Sequence, residues 1–93
     1  MTYFVKYFDI GNFYKYTLLS IIKPSLSDDN DVEFITDTIV EGFISYKLIA
    51  DVHISTTIMS LDEVVKTKRI SFEKLVEFNE ISENEFVKLL LEV

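Results

Sequence analysis

Apolar and polar side chains alternate over residues 43–58, and this constrains the fold more than any other feature of the chain. Ile44, Tyr46, Leu48, Ala50, Val52, Ile54, Thr56 and Ile58 fall on one parity. Ser45, Lys47, Ile49, Asp51, His53, Ser55 and Thr57 fall on the other. Strand side chains point to opposite faces with a period of two, so the stretch predicts a ribbon with one dry side and one wet side. A helix would scatter the same residues around its axis. At ~3.3 Å per residue the ribbon would run on the order of 50 Å, against a diameter of roughly 30 Å for a compact chain of this size. A bend near Ala50-Asp51 is expected rather than a bulge, because the alternation is unbroken.

A partner for the ribbon precedes it. Val32 to Val40 reads as a strand and Glu41-Gly42 as the turn into the ribbon. With Val40 opposite Phe43, Ile39 meets Ile44 and Ile35 meets Leu48 on the dry side, while Thr38 meets Ser45 and Thr36 meets Lys47 on the other. A slip of one residue would mix the faces. The competing reading is a helix over 31–49 using Val32, Ile35, Ile39, Phe43 and Tyr46.

An earlier hairpin is predicted from Tyr3–Ile10 and Phe13–Ile22 around Gly11-Asn12, a glycine-first loop that suits a type II′ turn. Its register sets Phe8 against Lys15, Tyr7 against Tyr16, Val5 against Leu18 and Phe4 against Leu19. Tyr3, Tyr7, Tyr14 and Tyr16 then share one face, and Phe4, Phe8 and Phe13 the other. A helix from Asn12 to Lys23, ended by Pro24, competes with it; the aromatics and the glycine favour the hairpin. Lys23 to Asn30 is the expected loop, because Pro24 cannot continue a ladder and Ser, Asp and Asn favour turns.

Three short helices are expected to close the chain. Ser60-Leu61-Asp62-Glu63 and Ser82-Glu83-Asn84-Glu85 have capping-box spacing, and Ser71 can cap a helix carrying Phe72, Leu75 and Val76. The last helix presents Phe86, Val87, Leu89, Leu90 and Val93. The predicted fold is α+β: one domain over residues 1–93, with a small antiparallel sheet of about four strands in two hairpins. The three helices would pack on its dry face.

The 93 residues hold no cysteine, so neither a disulfide framework nor a thiolate metal site is available to support the fold. The longest apolar run near the start, Leu18 to Ile22, is far below the ~20 residues of a membrane span. The first residues lack the pattern of an export signal, so a soluble cytoplasmic protein is expected. Net charge is −7. Asp28, Asp29, Asp31, Glu33, Asp37 and Glu41 form an acidic block with no basic residue among them, which disfavours direct contact with phosphate backbones.

Catalytic motifs are not evident. His53 has Asp51 on its own face, but no nucleophile motif accompanies it. The run Asp28-Asp29-Asn30-Asp31 lacks the glycine and distal glutamate of a calcium loop. Glu73, Glu77, Glu80, Glu83 and Glu85 are spaced as solubilising charge. The closing helices, with one arginine in the whole chain, make a helix-turn-helix regulator a minor alternative. No cofactor and no metal are expected.

The expectation is a non-enzymatic protein-binding module. Its surface would combine Asp28, Asp29, Asp31, Glu33 and Asp37 with Tyr3, Tyr7, Tyr14 and Tyr16, since tyrosine favours interfaces. Single alanine and arginine residues and no tryptophan suit an AT-rich virus or mobile element. Small acidic proteins of that origin inhibit host nucleic-acid machinery, as in anti-restriction or anti-CRISPR action, by competing for a basic groove. The alternative is a homodimer or larger homo-oligomer assembled through the aromatic hairpin or the ribbon's free end, by edge or face contact.

Overall fold

A computed structural model describes residues 1–25, 33–45, 54–55 and 60–92. In chain order the elements are β1 (Thr2–Asp9), β2 (Tyr14–Ser25), β3 (Glu33–Ile44), β4 (Ile54–Ser55), α1 (Asp62–Thr67), β5 (Arg69–Ser71), α2 (Phe72–Leu75), β6 (Asn79–Ile81) and α3 (Glu83–Leu91). The class is α+β. The strands form one sheet in the order β4-β1-β2-β3-β5, and β6 joins the outer side of β1. Pairing is antiparallel except between β4 and β1, which run parallel at Tyr7–Ile54 and Phe8–Ser55. No helix among the described residues is long and apolar enough to cross a membrane.

The first hairpin forms in the expected register, with Phe4 opposite Leu19, Val5 opposite Leu18, Tyr7 opposite Tyr16 and Phe8 opposite Lys15. Residues 12–23 are therefore not a helix. The turn is closed by the Ile10 N–H donating to the Phe13 carbonyl at 3.1 Å. Gly11 sits at φ +109°, where a side chain would be strained, and its N–H donates to Asp9 Oδ1 at 2.8 Å. Strand β2 then continues through Pro24, which lies opposite Phe34, where a loop was expected. Proline is tolerated at a strand end beside a bulge, and β1 stops short of it at Thr2, opposite Ile21.

The second expected hairpin does not form. Strand β3 runs unbroken through Glu41-Gly42, so Ile39 and Ile44 lie on one strand and cannot pair, and Ile35 is flanked by Lys23 and Arg69 instead of the expected partner. Gly42 serves packing instead of a turn. A Cβ built on it would lie 2.5 Å from both Cζ and Oη of Tyr16, directly across the ladder. Of the ribbon itself only residues 43–45 and 54–55 are described: Ile44 is buried and Phe43 exposed. Leu48, Ala50, Asp51 and His53, with the bend expected there, lie outside the described residues.

Two opposed bulges, at Asp37 of β3 and Ile22 of β2, shift and then restore the register between these strands. Ser20, buried at that point, accepts a hydrogen bond through Oγ from the Thr38 N–H at 3.0 Å.

Helix residues divide between the two faces, where all three helices were expected on one. Phe86 and Leu89 of α3 join Val5, Tyr7, Tyr16, Leu18 and Ile44. Leu61, Val64 of α1, Leu75 of α2 and Phe78 join Leu19, Ile21 and Ile70. The cause is the pair of three-residue strands missed by the sequence pattern. Strand β5 docks on the β3 edge and β6 on the β1 edge, and the chain turns around β1 before starting α3. Ser82 and Ser71 cap their helices as expected, accepting from Glu85 N–H at 3.2 Å and Lys74 N–H at 3.4 Å. Ser60 does not. Leu61 holds the cap position of α1 and makes no side-chain bond there, since leucine has no acceptor; its side chain is buried in the core instead.

Candidate functional site

The tyrosines are part of the core. Tyr16 is fully buried, and its hydroxyl donates to the Leu89 carbonyl of α3 at 3.0 Å. Tyr3 packs its ring on Phe86 at 4.6 Å between centroids, and Tyr7 lies 6.2 Å from Tyr16. Tyr14 is half-buried against the same cluster. Burial, with Glu85 and then Tyr16 adding to it, pushes the Tyr7 phenol up to about 12. Burial and then Glu92 raise that of Tyr16. Helix α3 covers Tyr7 and Tyr16 of the aromatic face and leaves Tyr3 and Tyr14 half-buried at its margin.

The acidic residues are spread along β3. Glu33, half-buried opposite Ser71, holds its carboxylate 3.6 Å from Arg69 Nη1. Asp37 projects from its bulge, exposed, and accepts from Thr38 Oγ1 at 3.1 Å. Glu41 is 3.4 Å from Lys15 Nζ, which also sits 5.6 Å from the centre of the Phe8 ring. Asp28, Asp29, Asp31 and His53 lie outside the described residues. Among the described residues, the exposed Asp37 and half-buried Glu33 do not form one patch with the buried Tyr7 and Tyr16.

What the fold does assemble is a groove on the phenylalanine side of the sheet. Phe4 of β1, Phe34 of β3, Phe72 of α2 and Phe78 line a space of about 400 Å³ with Val76, and Thr2 and Glu80 stand at its margin. The rings of Phe34 and Phe72 lie 6.5 Å apart. Phe72 and Val76 are 56% and 59% exposed, although the helical stripe predicted both as core. Periodicity identifies such a stripe but not its depth, and a one-turn helix buries only Leu75. No local signal would have found the groove, because its walls, which include Ile21 of β2, come from four separated parts of the sequence.

Across α2 lies a second depression of about 330 Å³, lined by Arg69, Lys74, Glu33 and Glu63. The single turn of α2 is too short to serve as a recognition helix spanning a major groove. Among the described residues no cluster of three or more histidine, aspartate or glutamate side chains is placed to hold a metal ion.

One further group stands out chemically. Lys6 is 4% exposed on the phenylalanine face, with Nζ 3.8 Å from Glu77 Oε1 and no hydrogen-bond partner among the described residues.

Compared with known proteins, the chain matches no protein-family model, no curated protein and no solved structure.

Proposed function

We propose that the chain is a non-enzymatic protein-binding module, directed at a basic surface of a partner such as a nucleic-acid-processing effector of a host cell. The observation that carries this reading is the phenylalanine groove. Phe72 and Val76 remain more than half exposed beside Glu80, on a chain whose net charge is −7. Apolar surface that folding leaves open and rims with polar groups is characteristic of interaction sites. Acidity adds steering and selectivity toward cationic partners. An origin in a virus or mobile element is part of the proposal and rests on composition alone.

The test combines sedimentation with affinity capture from the source cell. The reading requires a monomer that retains a protein at low salt and releases it at high salt. Retention of nothing at any salt overturns it.

One observation favours a second reading, self-assembly. Beyond Thr36, no described strand pairs with the outer side of β3, and an open edge is a template for another strand. Antiparallel self-pairing centred on Val40 would set Glu41 against Ile39 and Asp37 against Phe43, so no two acids would oppose each other. A dimer whose sedimentation ignores salt would favour this reading over the first.

A further inference from the structure

We infer, on the protein-binding reading above, that the phenylalanine groove receives an apolar side chain presented by a positively charged protein segment. The volume of about 400 Å³ falls within the roughly 300–1,000 Å³ of pockets that enclose a ligand. Its walls are almost entirely apolar, so an inserted aliphatic or aromatic group gains burial and dispersion contacts.

Charge then selects what carries that group. Among the described residues, Glu80 is the only charged side chain lining the groove, and it is exposed. Glu73 and Glu77 add two exposed carboxylates on the same segment, the second facing Lys6. Of the cations near this segment, Lys6 is nearly buried and already faces Glu77, while Arg69 and Lys74 line the depression across α2, where Glu33 engages Arg69 at 3.6 Å. Helix α2 therefore separates an apolar side bordered by Glu80 from a side that holds Arg69 and Lys74 with Glu33 and Glu63. A fatty-acid carboxylate finds no cation among the described residues that line the groove. A second copy, itself at −7, adds repulsion. A segment with lysine or arginine flanking one apolar anchor meets complementary charge at Glu80 and apolar walls behind it.

The experiment titrates the full chain with a fluorescent synthetic peptide carrying leucines at helical spacing among lysines. One comparison peptide has its leucines replaced by serine, and another has its lysines replaced by glutamate. The chain is used as wild type and as Phe72→Ser, Val76→Asp, Glu80→Lys and Glu92→Lys. Thermal melts confirm folding of each variant; the two apolar positions are mostly exposed, and each substitution backs up the other. The lysine–leucine peptide should bind, and Phe72→Ser and Val76→Asp should each weaken it roughly tenfold, as truncating an interface anchor does. Glu80→Lys should weaken it more than Glu92→Lys, although both change net charge equally.

Equal binding of the serine peptide, or equal loss in the two charge variants, would overturn the inference in favour of diffuse attraction. Preference for the glutamate peptide would overturn it outright. So would a dimer abolished by Val76→Asp, which would make a second copy the occupant. If both groove variants still retain the native partner in a salt-sensitive way, the groove assignment fails while the protein-binding reading stands. If the chain captures no partner, that reading fails.

Discussion

Replacing Gly42 with alanine is expected to destabilise the protein, against the usual direction for a strand glycine. Alanine at an unstrained position ordinarily gains ~0.5–1 kcal/mol, because glycine loses more freedom on folding, and Gly42 has no positive φ to oppose it. Here the added Cβ would sit 2.5 Å from Cζ and Oη of Tyr16 and 3.0 Å from Cε1. The ring has little room to yield, being fully buried and tied to the Leu89 carbonyl. Overpacking of this kind costs ~1–3 kcal/mol, and freeing a buried carbonyl costs a further ~1–3 kcal/mol. The net loss is about 3 kcal/mol, a drop in melting temperature on the order of 10–25 °C for a chain of this length. Thermal and urea unfolding followed by circular dichroism would measure it. Because the clash is with one ring, Gly42→Ala should add little to Tyr16→Leu, giving a coupling of at least ~1 kcal/mol in the double-mutant cycle. A Gly42→Ala protein as stable as wild type, with additive effects, would refute the reasoning.

Other outcomes follow from the same contacts. Tyr16→Phe should cost about 1–2 kcal/mol and raise hydrogen exchange in the last turn of α3, since only the bond to Leu89 is lost. Lys6→Met should leave stability unchanged or raise it by about 1 kcal/mol in urea melts, because a buried amine whose one partner among the described residues is a half-exposed Glu77 is poorly compensated. A clear loss would show that Lys6 contributes a contact of its own. Ser82→Ala should cost ~1 kcal/mol through loss of the cap on Glu85 N–H. Tyr7 stays protonated in the fold up to about pH 12, while an unfolded tyrosine ionises near ~10. Its contribution is therefore complete below pH 10 and is lost as pH rises through 12. Alkaline denaturation monitored by phenolate absorbance should become less steep in Tyr7→Phe, and an unchanged profile would contradict the assignment.

The first hairpin was legible because two signals agree there: a glycine in the left-handed region at Gly11, and alternation that fits only one register. Gly42 was misread because a glycine in sequence does not reveal whether it serves a turn or the approach of a neighbouring ring. Arg69–Ser71 and Asn79–Ile81 are too short to show a period, yet they decide which face each helix covers. A helical stripe identifies the side that packs and not the layer it packs against. For that reason Phe86 and Leu75, read as one roof, lie in different clusters. Tyrosine suits cores and interfaces alike, so only the position of α3 could assign the aromatic face. Glu33 is half-buried and Asp37 exposed, and their partners Arg69 and Thr38 depend on the β3–β5 pairing and the bulge.

Hydrogen–deuterium exchange of the chain alone and with its captured partner tests the central claim most directly. Protection on binding is predicted across residues 72–80, with the tyrosine-bearing segments 3–7 and 14–16 unchanged because α3 already covers Tyr7 and Tyr16. Protection confined to residues 37–44, with 72–80 exchanging as in the free chain, would contradict the account.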